Sequence, residues 1–215
     1  MSRSEIIQLL NEKRYAEIAE LAKRPKEVFR ILISLSYDKT GVLSWRAIEM
    51  IGILAGGVSK KDPEVVRNLA QRLLWMMRDE SGNNPWSAPE ILGEIVRNNP
   101  DGFADIAPVL VSFQDEEMLR PGVLRAIFRI GDLKPDLIQV GRDLIFSYLR
   151  DPDALVRTYA LLIAGAYRIR EAITASGELK NDRSAVTLYE NGELTFVSVG
   201  DIAAKIHQQL SKEEN

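Results

Sequence analysis

The chain has 215 residues, 46% apolar and 27% charged, with 28 basic against 31 acidic residues and a net charge of −3. These are values of a globular chain long enough for one sizeable core or two small domains, and the acidic balance lacks the broad basic field of a typical nucleic-acid binder. Cysteine is absent and His207 is the single histidine, which excludes disulfides, thiolate metal sites, cysteine nucleophiles and multi-histidine metal centres together.

The N-terminal stretch, Met1 to Leu10, carries Arg3 and Glu5 and has no apolar core of signal-peptide length. Residues 4–22, apolar at Ile6, Leu9, Leu10, Ile18 and Leu21, read as a degenerate capping repeat. Next come four copies of one frame: an Asp, an Ala nine residues on and a Gly five further. They are Asp38, Ala47, Gly52; Asp79, Ala88, Gly93; Asp115, Ala126, Gly131, with two extra residues before the Ala; and Asp151, Ala160, Gly165. The residue before each Gly is apolar: Ile51, Leu92, Ile130 and Ala164. Each Asp suits a turn or an N-cap, and each Ala and Gly suits the close-packed side of a helix. Before each Asp lies another apolar helix, at 28–37, 65–77, 103–113 and 137–149. Asp62-Pro63-Glu64 with Ala70 also looks like a second-helix start, but Trp75 stands where the Gly belongs, so it reads as a first helix. The longest nearly apolar run, Met50 to Val58, is too short to cross a bilayer. A cytoplasmic protein without membrane contact is expected.

This pattern resembles the HEAT-repeat family, including the short bacterial HEAT-like repeats associated with bilin lyases. The resemblance spans residues 25–170 and is carried by the run Asp151-Pro152-Asp153-Ala154-Leu155-Val156-Arg157 with Ala160 and Gly165, and by the three parallel frames. It implies an all-α, right-handed α-solenoid of about four to five helical hairpins whose second helices line a concave surface. Most members of that family are protein-binding scaffolds. Pro89 and Pro121 depart from the pattern but are tolerable in a first helical turn.

After residue 176 the pattern changes. Residues 177–184 are polar and read as a linker. Ala185 to Tyr189 and Leu194 to Val199 flank Glu190-Asn191-Gly192-Glu193, a strong β-hairpin signal. Asp201 is a candidate N-cap for a closing helix with Ile202, Ile206 and Leu210 as its apolar stripe. The expected division is 1–176 for the solenoid and 177–215 for the linker, hairpin and helix. A lone hairpin is marginal in water, so this tail docks on the last repeat as a cap or on a partner.

Candidate binding residues follow from the frame. Trp45 and Trp86 stand two before their Ala; Glu49 and Glu90 stand two after. They form either a partner-binding strip, since Trp and Arg are enriched in hot spots, or rings closing turns. The positions expected to face outward include Arg46, Glu49, Met50, Glu90, Ile91, Glu94, Arg125, Phe128, Arg129 and Asp132. Such a ridge, acidic at Glu90 and Glu94 and basic at Arg125 and Arg129, suits a protein partner better than a phosphate backbone; a plain solvated face is the other reading. With Asp79 and the polar turn 79–86, the partner-binding set is Trp45, Arg46, Glu49, Asp79, Trp86, Glu90, Glu94, Arg125 and Arg129. No catalytic residue, cofactor or metal is expected, because nothing in the sequence points to burial of the Glu90/Glu94 or Asp79/Glu80 carboxylate pairs. The rival is a HEAT-like enzyme on nucleic acid. DNA glycosylases of that build use a Trp, an acid and an Arg in a concave groove, and Trp75 and Asp79 superficially match. The acidic balance argues against it, and Trp75 fits the core stripe of its helix beside Leu73 and Leu74. His207 reads as a surface residue.

Overall fold

A computed structural model of the chain describes residues 2–78, 87–138 and 142–212. It is mostly helical, with one small antiparallel sheet near the C-terminus. The helices are α1 (Arg3–Asn11), α2 (Tyr15–Leu21), α3 (Pro25–Leu35), α4 (Val42–Ser59), α5 (Pro63–Arg78), α6 (Ala88–Asn98), α7 (Pro100–Phe103), α8 (Ile106–Val111), α9 (Arg120–Gly131), α10 (Arg142–Tyr148), α11 (Ala154–Ala166) and α12 (Ile173–Glu178). Strands β1 (Ala185–Glu190) and β2 (Glu193–Ser198) follow, then α13 (Val199–Lys212).

Local chemistry sets many of the boundaries. Ser2 and Glu5 cap α1 reciprocally. Pro25, Pro89 and Pro121 all sit in first turns, where no N–H is missed. Asp153 rather than Asp151 caps α11, accepting from the Leu155 amide at 2.7 Å, while Asp151 holds the preceding turn by accepting from the Asp153 amide. The helix expected over 103–113 is broken into α7 and α8. Pro108 has no N–H to give the Ala104 carbonyl, so α8 restarts at Ile106 with Pro108 in its first turn.

The Ala and Gly positions of the frame face inward, while Asp38 and Asp115 are exposed. Ala47, Ala88, Ala126 and Ala160 are buried, as are Ile51, Leu92, Ile130 and Ala164. Helices α4, α6, α9, α11 and α13 form a row in which each packs on the next, with α3 and α5 against α4 and α10 against α11. The frame glycines mark the closest approaches. A Cβ at Gly93 would lie 2.5 Å from the Ala126 Cβ, one at Gly52 2.7 Å from the Glu94 Cβ, and one at Gly165 2.6 Å from Ile206. Among the described helices, α4 alone is long and apolar enough to cross a membrane by length and composition. It carries Arg46 and Glu49 and packs against α1, α2, α3, α5 and α6.

Several expectations are corrected. Trp75 is 64% exposed rather than in the core. The inward stripe of α5 is Val66, Ala70, Leu73 and Met77, and Trp75 falls outside that arc. Residues 177–184 are not a slack linker. They hold the end of α12 and a 3₁₀ turn at Leu179–Asn181, and Arg157 binds Asp182 at 2.9 Å and Ser184 at 3.1 Å. Asp201 is not the N-cap of α13. Ser198 takes that role, accepting from the Asp201 amide while Asp201 accepts from the Ser198 amide, both at 3.1 Å. His207 is half-buried, with Nδ1 3.0 Å from the Ile173 carbonyl. The hairpin turns at Asn191-Gly192, both at positive φ, in register Ala185↔Ser198 to Glu190↔Glu193. Ile202, Ile206 and Leu210 are buried as the stripe predicts, and α13 packs on α11.

The contact at Gly93 yields a test. Gly93→Ala should lower the unfolding free energy by about 1–3 kcal/mol through overpacking. Gly57→Ala, on the same type of helix but with open space at its Cβ, should be neutral or stabilise by up to about 1 kcal/mol. Urea unfolding of both variants checks this; equal effects would contradict the close approach.

Candidate functional site

Helices α4, α6 and α9 bring most of the sequence-derived set to one place. Asp79 and Trp86 lie outside the described residues. The expectation that the set faces outward is corrected for Arg46, Glu90, Glu94 and Arg125, which are 6%, 2%, 1% and 2% exposed; Met50 and Ile91 are buried too. Trp45, Glu49 and Arg129 are half-buried. The reason is twofold: neighbouring helices pair the charges with one another, and the C-terminal hairpin covers them.

The ion pairs come first. Arg129 grips Glu94 in a two-pronged contact, Nε to Oε1 at 2.8 Å and Nη2 to Oε2 at 3.1 Å. Arg125 Nη1 lies 3.2 Å from Glu94 Oε1. Lys39 Nζ donates to Glu90 Oε1 at 2.6 Å. The Arg125 guanidinium also lies 4.9 Å from the Trp45 ring centre, and the Trp45 indole N–H donates to the Lys39 carbonyl at 3.0 Å. Burial pushes the Glu94 carboxyl up, but Arg125 and Arg129 outweigh it and hold the group below the usual carboxylate range. Glu94 therefore stays anionic and acceptor-only near neutral pH. That does not suit it to shuttle a proton with Glu90.

The hairpin engages the rest. Tyr189 stacks on Trp45 with ring centres 5.9 Å apart at 15°, and its hydroxyl donates to Glu49 Oε2 at 2.5 Å. Burial and the bond to Glu49 push the Tyr189 phenol well above its usual range. Arg46 donates to the Gly192 carbonyl at 2.8 Å and to the Asn11 carbonyl at 3.1 Å, and it pairs with Glu193 at 3.2 Å. Lys13 binds Glu193 at 2.5 Å. The hairpin thus runs from α11 back to the first turns of the chain. Its tip occupies three of the residues read as partner contacts.

A cleft of about 400 Å³ remains between β1 and the helices, lined among others by Lys39, Trp45, Glu90, Arg125, Tyr159 and Val186. Among the residues lining it, Glu90 Oε2 is buried without a hydrogen-bond partner among the described residues, while the buried Arg125 Nη1 is paired ionically with Glu94. Glu90 rests on the first turn of α9, where a Cβ at Gly122 would come 2.9 Å from its carboxylate oxygens. The positive end of that helix favours the anion. Burial pushes the Tyr159 phenol up to about 12, so it stays a neutral hydroxyl. Sequence reasoning missed Lys39, Gly122, Tyr159 and Tyr189. Tyr189 beside the Asn-Gly turn was a visible signal; Lys39, directly after the first frame Asp, was another. Among the described residues no group of three or more His, Asp or Glu is arranged to hold a metal ion.

No protein-family model matches the chain. A protein of Archaeoglobus fulgidus, described only as uncharacterized, is 24% identical over 180 residues, spanning 81% of this chain and 93% of its own length.

The buried cluster predicts a pH signature. Glu94→Gln leaves two cations without their counter-ion and should cost about 3–5 kcal/mol at pH 7. In the native chain the folded Glu94 titrates below its unfolded value of 4.5. Its stabilisation is therefore fully present above that value and is lost as pH falls through the folded value. Urea midpoints from pH 7 to 3 should fall steeply for the native chain and less steeply for the variant; parallel curves would contradict the assignment.

Proposed function

We propose that the chain is a non-catalytic, HEAT-like scaffold that binds a protein partner at the cleft between β1 and the second helices, helped by the 79–86 segment with Asp79 and Trp86. In this reading α4, α6, α9 and α11 are the second helices of a right-handed solenoid and α13 is its end cap. The inward frame positions and the one-directional packing of each helix on the next support the repeat. They are what a chain of stacked hairpins requires.

One observation carries the binding reading: Glu90 Oε2, buried beside the cleft, has no hydrogen-bond partner among the described residues. A buried polar atom without a partner costs about 1–3 kcal/mol. A ligand that offers one donor to Glu90 relieves that cost. A peptide N–H is such a donor, and the cleft has room for a short segment with side chains against Trp45 and Tyr159. Ser87, directly after the 79–86 segment, donates to the Ser36 carbonyl at 2.5 Å. This places Ser87 near the turn that carries Lys39.

The nucleic-acid enzyme reading has less support. Arg125 and Arg129 are engaged by Glu94, Trp45 is engaged by Tyr189, and Trp75 lies exposed on α5. Phosphate contacts need free cations.

Thr187 is exposed and lines the cleft, so Thr187→Arg narrows the entrance without disturbing the core. Quantitative affinity capture with the native chain and this variant should show a protein retained by the first and depleted about tenfold or more in the second. An unchanged set of captured proteins would remove the cleft from the binding surface.

A further inference from the structure

A second surface lies between the first helices. α3 and α5 both pack on α4 and leave a groove of about 560 Å³ between them. Its floor is apolar: Phe29 and Leu73 are buried beneath half-buried Ile33, Leu69 and Met76. Its walls carry three exposed cations, Lys26 and Arg30 one turn apart on α3 and Arg72 on α5. Among the described residues, none of the three has an ion-pair or hydrogen-bond partner, and no acidic one lines the groove. That sets them apart from Arg14, Arg67, Arg97, Arg120 and Arg157, each of which holds a carboxylate. In a chain of net charge −3, unpaired cations gathered around one apolar trough form a local field of the opposite sign.

We infer that this groove docks an amphipathic helix with acidic flanks, contributed by a protein partner. The apolar floor matches anchors at i, i+3, i+4 and i+7 of a helix laid between two others. Cations on both walls match carboxylates on both flanks of that helix. A single fatty-acid carboxylate satisfies one wall only, and a nucleic-acid backbone leaves the aliphatic floor unmatched. α3, with 11 residues, is about 16 Å long at 1.5 Å per residue, so the contact spans about three helical turns. This site is separate from the β1 cleft and stands or falls independently of it.

The probe is a fluorescein-labelled peptide of about fourteen residues, with Leu at the four anchor positions and Glu on both flanks. A counterpart replaces every Glu by Lys, and sodium laurate serves as a competitor. Fluorescence anisotropy should show the Glu peptide binding at least roughly tenfold tighter than the Lys peptide, and more weakly as salt is added. The double variant Arg30→Glu/Arg72→Glu should weaken the Glu peptide by roughly tenfold or more. Thr187→Arg should leave it unchanged. Both Arg side chains are exposed and unpaired, so circular dichroism should show the native fold; Lys26→Glu provides an independent second variant. Equal affinity for the two peptides overturns the proposal. So does unchanged binding in the folded charge variants, or full displacement by laurate with those variants indifferent. A concentration-dependent dimer abolished by the same substitutions overturns it too, since the occupant is then a second copy of this chain.

Discussion

Burying a carboxylate costs on the order of several kcal/mol unless cations surround it, and Glu94 sits where three helices depend on meeting that condition. Its Cβ and carbonyl stand against Gly52 of α4, so α4 and α6 approach closely at the base of the side chain. Its carboxylate is held by Arg125 and Arg129 of α9. One residue thus sets the spacing on one side and supplies the counter-charge on the other. Arg125 in turn lies over Trp45, which stacks on Tyr189 of the hairpin. The ion cluster and the tail are therefore parts of one contact chain that crosses the row of helices.

The hairpin gives the tail two tasks. α13 covers the end of the row at α11, where Ile206 fills the space above Gly165. The hairpin tip reaches back instead to Arg46 and Lys13, and Arg46 in turn donates to the Asn11 carbonyl. A two-stranded sheet is marginal alone, and this one is supported at its base by Arg157 with Asp182 and at its tip by Arg46. A chain whose ends meet in this way constrains the helices between them. Glu90 Oε2, without a hydrogen-bond partner among the described residues, lies within that constrained region, where a polar defect is retained rather than relaxed away.

The buried face of each helix and the hairpin could be read from residues because both are local. Ala88 and Gly93 are five apart on one helix, and Asn191-Gly192 specifies its own turn. The character of the site could not. Glu90, Glu94 and Arg125 look like surface residues by type, and their burial rests on pairing between helices more than thirty residues apart in sequence. Arg46 is covered by a hairpin tip that lies far along the chain. Charge at an apparently outward position signals exposure only while nothing else in the chain folds over it. Trp75 failed in the opposite sense: an aromatic beside Leu73 and Leu74 suggests a core, but the inward arc of α5 passes through Leu73 and Met77 instead.

A double-mutant cycle across the cluster measures its central contact directly. Glu94→Gln, Arg125→Met and the double variant are each unfolded in urea at pH 7, and the coupling energy is taken from the four stabilities. A shared buried ion pair gives a coupling of about 1–3 kcal/mol, with the double variant less damaged than the two single losses sum to. Additive losses, with coupling near zero, would mean that Glu94 and Arg125 are buried side by side without holding the helices together.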